Sequence, residues 1–217
     1  MSAAVPEADG IDASNGAILV IISGPSGVGK DTIIEALRRR SHDPEYHYVI
    51  TCTTRAMRPG EVNGVDYWFL DRKTFAAQRA EGEFLEANKV HGNWYGTPRS
   101  QVRDALGEGR DVILKIDVQG AQVVKEKIPG ALLVFLIPPS LEDLFQRLLS
   151  RATETADELE LRQRNAAIEL ARQSDYDYVV TNETGQVERT AERIDAIIAE
   201  EHRTHPDRRV EVYRRSP

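Results

Sequence analysis

The apolar run Ala17-Ile18-Leu19-Val20-Ile21-Ile22 leads, through Ser23, into Gly24-Pro25-Ser26-Gly27-Val28-Gly29-Lys30-Asp31. A β-branched strand, a glycine-rich turn and a helix start, in that order, make a phosphate-binding P-loop. Glycines at 24, 27 and 29 let the backbone close around an anion with its N–H groups pointing inward. A helix opening near Gly29 adds the positive end of its dipole, and Lys30 can reach the terminal phosphates of a nucleoside triphosphate. Asp31 departs from the pattern, because Ser or Thr normally stands there and places a hydroxyl on magnesium.

A chain of 217 residues has room for one α/β core with inserted subdomains. Its net charge of −7 gives no global attraction to nucleic acid or to a membrane surface. An acidic chain that binds polyphosphates is therefore expected to gather its Arg and Lys locally. One cysteine, Cys52, allows no internal disulfide, and no signal peptide or membrane span is legible. The expected location is cytoplasmic, with no nucleic-acid or membrane partner. The five histidines form no ligand set with cysteine or carboxylates. The sequence does not set the oligomeric state.

Residues 1–16 read as a disordered leader, 17–203 as the folded domain and 204–217 as a polar tail. Core strands are expected at 17–22, 46–52, 111–116, 132–137 and 178–180. Helices are expected from the P-loop through Arg40, then over 100–108, 121–127, 141–150, 155–173 and 186–202. Between about 51 and 98 the alternation breaks into short aromatic strands, a helix over 73–81 and glycine turns, which reads as an insertion. Strands alternating with helices predict a parallel sheet covered on both faces, with ligands at the carboxyl ends of the strands.

A P-loop alone names no reaction. Within Thr51 to Tyr67, Arg55 and Arg58 lie three apart beside Pro59-Gly60, with Tyr67 following. Two guanidinium forks and a phenol suit a phosphate monoester. This segment resembles the nucleotide-binding insertion of guanylate kinases. So do Glu83-Phe84-Leu85-Glu86, Gly92-Asn93-Trp94-Tyr95-Gly96-Thr97, Ile116-Asp117-Val118-Gln119-Gly120, Pro138-Pro139-Ser140 and Tyr176 to Asn182. The similarity runs in order from about residue 17 to 203.

The resemblance implies a P-loop NTPase-type α/β fold with an inserted GMP-binding subdomain and a helical lid over about 147–163. It implies transfer of a phosphoryl group from Mg·ATP to GMP. ATP would sit on Gly24, Pro25, Ser26, Gly27, Val28, Gly29, Lys30, Asp31 and Thr32, with Asn182 bordering the adenine and Asp31 at the metal. Arg55, Arg58, Tyr67 and Tyr95 would hold the GMP phosphate, and Thr51, Glu86, Thr97 and Asp117 would read guanine, with Glu61 also in the substrate set. Lys30, Arg147, Arg151 and Arg162 would stabilise the travelling charge. Guanine offers an imino and an amino donor side by side, which suits a carboxylate. Adenine would leave Glu86 buried and unpaired.

The chain departs from the family's pattern at Asp31, at Lys115 and in the lid. Asp31 replaces the hydroxyl residue, and Lys115 stands where the family usually has aspartate. If the two changes are linked, the site is one charge more positive and keeps one carboxylate near the metal, while Lys115 neutralises excess negative charge or touches a phosphate. If they are not, Asp31 complements the helix N-terminus and Lys115 faces solvent. The lid carries Ser150-Arg151-Ala152-Thr153 where glycines are usual, which implies a stiffer hinge. Gly-Lys-Asp also resembles ribose 1,5-bisphosphate phosphokinases, but the guanine-reading residues would have no purpose on a sugar bisphosphate. A turnover-deficient phosphopeptide-binding module is the other alternative.

Overall fold

The computed structural model describes residues 10–12, 16–40, 42, 44–90, 92–149 and 164–213. A five-stranded parallel sheet forms the centre, in the order β10-β9-β2-β8-β3. These strands are β2 (Leu19–Ser23), β3 (His47–Tyr48), β8 (Val112–Lys115), β9 (Leu132–Ile137) and β10 (Tyr178–Thr181). Side chains alternate between the faces. Leu19, Ile21, Leu114, Leu133 and Phe135 enter one buried cluster, while Val20, Ile22, Ile113, Leu132 and Val134 enter the other. Both faces are thus covered, which explains why β2 and β9 are apolar almost throughout.

Helix α1 (Lys30–Arg39) and the last helix, α7 (Val187–Thr204), cover one face. Helices α3 (Arg99–Gly107) and α4 (Val118–Lys127) cover the other. Helix α5 (Leu141–Leu149) follows β9, and the described part of α6 spans residues 164–170 before a 3₁₀ turn at Ala171–Asp175. The expected helix over 155–173 is therefore seen only in this part, and its final residues are 3₁₀.

The insertion is a second, four-stranded sheet in the order β5-β4-β7-β6. It comprises β4 (Cys52–Thr53), β5 (Trp68–Phe69), β6 (Phe84–Val90), β7 (Asn93–Pro98) and helix α2 (Arg72–Ala80). The single strand expected over 46–52 is instead two, because β3 joins the parallel sheet and β4 joins the insertion. The chain changes sheets between Val49 and Thr51, where Gln101 accepts from the Ile50 N–H and donates to its carbonyl, at 2.9 Å each.

The ends also differ from expectation. β1 (Gly10–Asp12) pairs antiparallel with β11 (Glu211–Tyr213), so part of the leader and part of the tail form a ribbon. Val210 and Val212 are buried in the core beside α3. An Arg-rich tail hid this short apolar alternation. No helix among the described residues is long and apolar enough to cross a membrane.

Candidate active site

The P-loop joins β2 to α1 and is shaped by positions without side chains. Gly24 has φ +145°, and a Cβ there would lie 2.4 Å from the Leu136 carbonyl oxygen. Gly29 caps α1 at φ +99°, with Asn182 Nδ2 2.6 Å from where a Cβ would be. Lys30 folds back so that Nζ donates to the carbonyls of Gly24 (2.6 Å) and Pro25 (3.1 Å). Burial lowers its pKa against the opposing pull of the Glu169 and Asp31 carboxylates.

Asn182 is buried and donates through Nδ2 to the Val28 carbonyl at 2.8 Å. It ties β10 to the loop. Arg147 acts similarly. Its guanidinium donates to the carbonyls of Val28 and Asn182, both at 3.1 Å, and to Thr184 Oγ1 at 2.7 Å. These contacts brace α5 against the loop. Arg151 and Arg162 lie outside the described residues.

One cavity of about 340 Å³ runs from the loop to the insertion. Gly24, Ser26, Gly27, Gly29, Lys30 and Asp31 line its first end; Thr51, Arg55, Arg58, Tyr67, Glu86, Tyr95 and Asp117 line the rest. Of the remaining P-loop residues, Pro25 and Val28 are buried and Thr32 is exposed in the first turn of α1.

At the far end Glu86 projects from β6 and is 3% exposed. Thr97 Oγ1 donates to its Oε1 at 2.6 Å, and Asn88 Nδ2 to its Oε2 at 2.8 Å. Gly120 leaves the space, because a Cβ there would sit 3.3 Å from Glu86 Oε2. Burial pushes the Glu86 pKa up to about 7, the nearby Asp117 charge adds to this, and the two donors hold it down. Thr97 is wholly buried beside Glu86 and fixes its Oε1. Asp117 caps α4, its Oδ1 accepting from Gln119 N at 2.8 Å and Gly120 N at 3.1 Å.

The middle wall carries the arginines. Arg55 stands over the rings of Tyr67 (5.5 Å) and Phe69 (5.6 Å), and the Tyr67 and Tyr95 rings meet edge-on. Glu61 holds Arg55 by a bidentate pair, Nη2–Oε1 at 2.6 Å and Nη1–Oε2 at 3.0 Å. It also accepts from the Arg58 backbone N–H at 2.7 Å. Glu61 thus orients Arg55 and the Arg58 backbone, beside the residues that line the cavity.

Two carboxylates alter the expected electrostatics. Asp31 and Lys115 form an ion pair, with Lys115 Nζ donating to Asp31 Oδ1. The two departures are therefore linked, and Lys115 does not simply face solvent. Glu169, on α6, accepts from the Ser26 N–H at 3.2 Å, placing an anion on the phosphate loop itself. Burial raises its pKa, while Lys30 and the Ser26 N–H oppose the rise. Sequence reasoning missed Glu169, because a glutamate in a highly charged helix carries no local signal. The lining thus holds the cations Lys30, Arg55, Arg58 and Lys115 beside the carboxylates Asp31, Glu86, Asp117 and Glu169. The expected local gathering of basic groups is present but matched by acids.

A central parallel sheet, a glycine-rich loop at the carboxyl end of its middle strand and a second sheet across the cavity define a protein of the P-loop NTPase fold. The guanylate kinase family model matches residues 17–201, and the chain belongs to that family. Guanylate kinase of Halalkalibacterium halodurans is 44% identical over 185 residues, covering 85% of this chain and 89% of that protein. Guanylate kinase of Streptococcus pneumoniae is 43% identical, with 85% and 88% covered. The crystal structure of guanylate kinase from Anaplasma phagocytophilum aligns with a TM-score of 0.70 at 34% identity, covering 90% of each chain.

Proposed function

We propose that this chain transfers the γ-phosphoryl group of ATP to GMP, giving ADP and GDP. The observation that carries the reading is Glu86, a buried carboxylate at the opposite end of the cavity from the P-loop. Each of its oxygens already accepts one protein hydrogen bond, from Thr97 or Asn88. Each retains lone-pair capacity for one of the adjacent imino and amino donors of guanine. Thr51 and Asp117 border the same pocket. A sugar bisphosphate lacks the adjacent imino and amino donors that would match the two oxygens of this acid, which argues against the ribose 1,5-bisphosphate alternative.

Arg55, Arg58, Tyr67 and Tyr95 suit the acceptor phosphate. Three N–H donations of Arg55 go to Ala56 and Glu61, out of the five its guanidinium can make, and Tyr95 also meets it, so the substrate phosphate would join Tyr95 on the remaining donors. The attacking atom is a phosphate oxygen ionised near neutral pH, so the reaction requires no general base. Catalysis is then positioning plus stabilisation of charge on the transferred group. Lys30 exchanges its carbonyl partners for phosphate oxygens, and Arg151 and Arg162 are assigned to the closing lid. Asp31, an exposed oxygen donor in the first turn of α1, is the residue that would hold magnesium. Bound there, the ion would neutralise charge on the donor phosphates.

ADP formation measured with Mg·ATP and GMP, beside AMP, UMP and ribose 1,5-bisphosphate, tests the proposal. GMP-selective turnover is expected. GMP binding without turnover would replace it by a binding module, and turnover of the sugar bisphosphate by the other kinase class.

A further inference from the structure

We infer that Lys115 is a catalytic residue that links the two phosphate sites, an inference that rests on the ATP:GMP reading above. Lys115 ends β8, the strand beside the P-loop strand, and its register partner is Ile22. That position sends its side chain between the two ends of the cavity. Nζ meets Asp31 of the P-loop helix on one side and lies 5.0 Å from the Tyr67 ring centre on the other. The side chain is only 20% exposed and lines the cavity. Its ammonium is thus held between the Asp31 carboxylate and the Tyr67 ring, facing the cavity.

The chemistry of the reaction places a demand at this point. The γ-phosphorus and the acceptor oxygen must approach to about 3–3.5 Å while both reactants are anionic. A cation that reaches both phosphates offsets that repulsion, most of all when charge spreads over the transferred group. In the step, the bond from γ-phosphorus to the leaving oxygen of ADP breaks as the bond to the GMP phosphate oxygen forms. Lys115 donates hydrogen bonds to the flanking oxygens and keeps its proton throughout. Asp31 is its partner in the resting state, and the arriving phosphates replace that partner. The aspartate usual in the family could not act this way, so the pair of departures changes how this chain handles charge between its substrates.

The test compares the unmodified chain with Lys115→Met and Lys115→Arg by steady-state kinetics, GMP calorimetry without ATP and thermal unfolding. Lys115→Met is expected to lower kcat by about 100-fold while the Kd for GMP rises less than about fivefold. Lys115→Arg is expected to recover kcat to within about tenfold of the unmodified chain. If Lys115→Met does not fold, Lys115→Gln takes its place. The inference is overturned if the unmodified chain turns over GMP and the neutral variant matches its kcat within about threefold. It is equally overturned if the whole loss lies in GMP affinity, or if arginine rescues nothing. Failure of the unmodified chain to turn over GMP would instead overturn the functional reading.

Discussion

The two ends of the cavity are built on different principles. At the P-loop end, backbone and glycines make the site over eight consecutive residues, and one contact decides it: the 2.4 Å approach that excludes a side chain at Gly24. At the guanine end, side chains make the site, and they come from β6, β7, the start of α4 and the crossing at Thr51. The first end binds what every nucleoside triphosphate shares. On the proposed function the second discriminates, because only a base with adjacent imino and amino donors adds a bond to each Glu86 oxygen. General affinity can be written locally in a chain, whereas specificity needs residues brought together by the fold.

The largest way to break this contrast is at the backbone end. Gly24→Ala introduces a Cβ against the Leu136 carbonyl at a φ that L residues rarely adopt. It is expected to lower unfolding free energy by about 2–4 kcal/mol. Urea denaturation measures this, and ATP binding is expected to be lost with it. Unchanged stability would show that the loop is less constrained than its geometry indicates.

A change of pH probes the other end alone. GMP donates to the ionised form of Glu86, whose pKa is raised to about 7 by burial. Below that pH the carboxyl must lose a proton before guanine binds. The GMP affinity is therefore expected to fall toward tenfold per pH unit below 7, with a proton released on binding. The GMP phosphate also titrates near pH 6 by analogy with phosphorylated side chains, so the decisive quantity is the slope that Glu86→Gln removes. The same shift fixes a stability trend. The folded state holds the Glu86 proton between 4.5 and about 7 while the unfolded chain gives it up, so its stabilising contribution is lost as pH rises through that window.

A smaller effect sharpens the comparison at the loop. Glu169 places a carboxylate on the Ser26 N–H, so it competes with any phosphate for that donor. Glu169→Gln is expected to tighten ATP binding by about three- to fivefold and to leave GMP affinity alone, as read by calorimetry. Weaker ATP binding would show that the carboxylate supports the loop instead of competing for it.

The P-loop, the parallel sheet and the apolar strands were legible because their signals are local: periodicity, glycine spacing and the run before Gly24. β9 occupies the predicted residues without change. Arg55, Arg58 and Glu86 became legible only through resemblance to a family, since nothing local distinguishes a guanine-reading glutamate from a surface one. The bonds of Glu61, Thr97 and Asn182 to Arg55, Glu86 and the loop carry no signal in the sequence. Such bonds depend on distances that only the fold sets. Glu169 and the ribbon of β1 and β11 were missed for the same reason, as each joins residues more than a hundred positions apart.

The measurement that tests the account most directly is the ratio of kcat/KM for GMP over AMP, taken on the unmodified chain and on Glu86→Gln side by side. The account predicts a ratio of about 10⁴ or more for the unmodified chain. It predicts that Glu86→Gln loses about 10²-fold in kcat/KM for GMP while the KM for ATP is unchanged. A ratio near one, or a ratio that Glu86→Gln leaves intact, would contradict it.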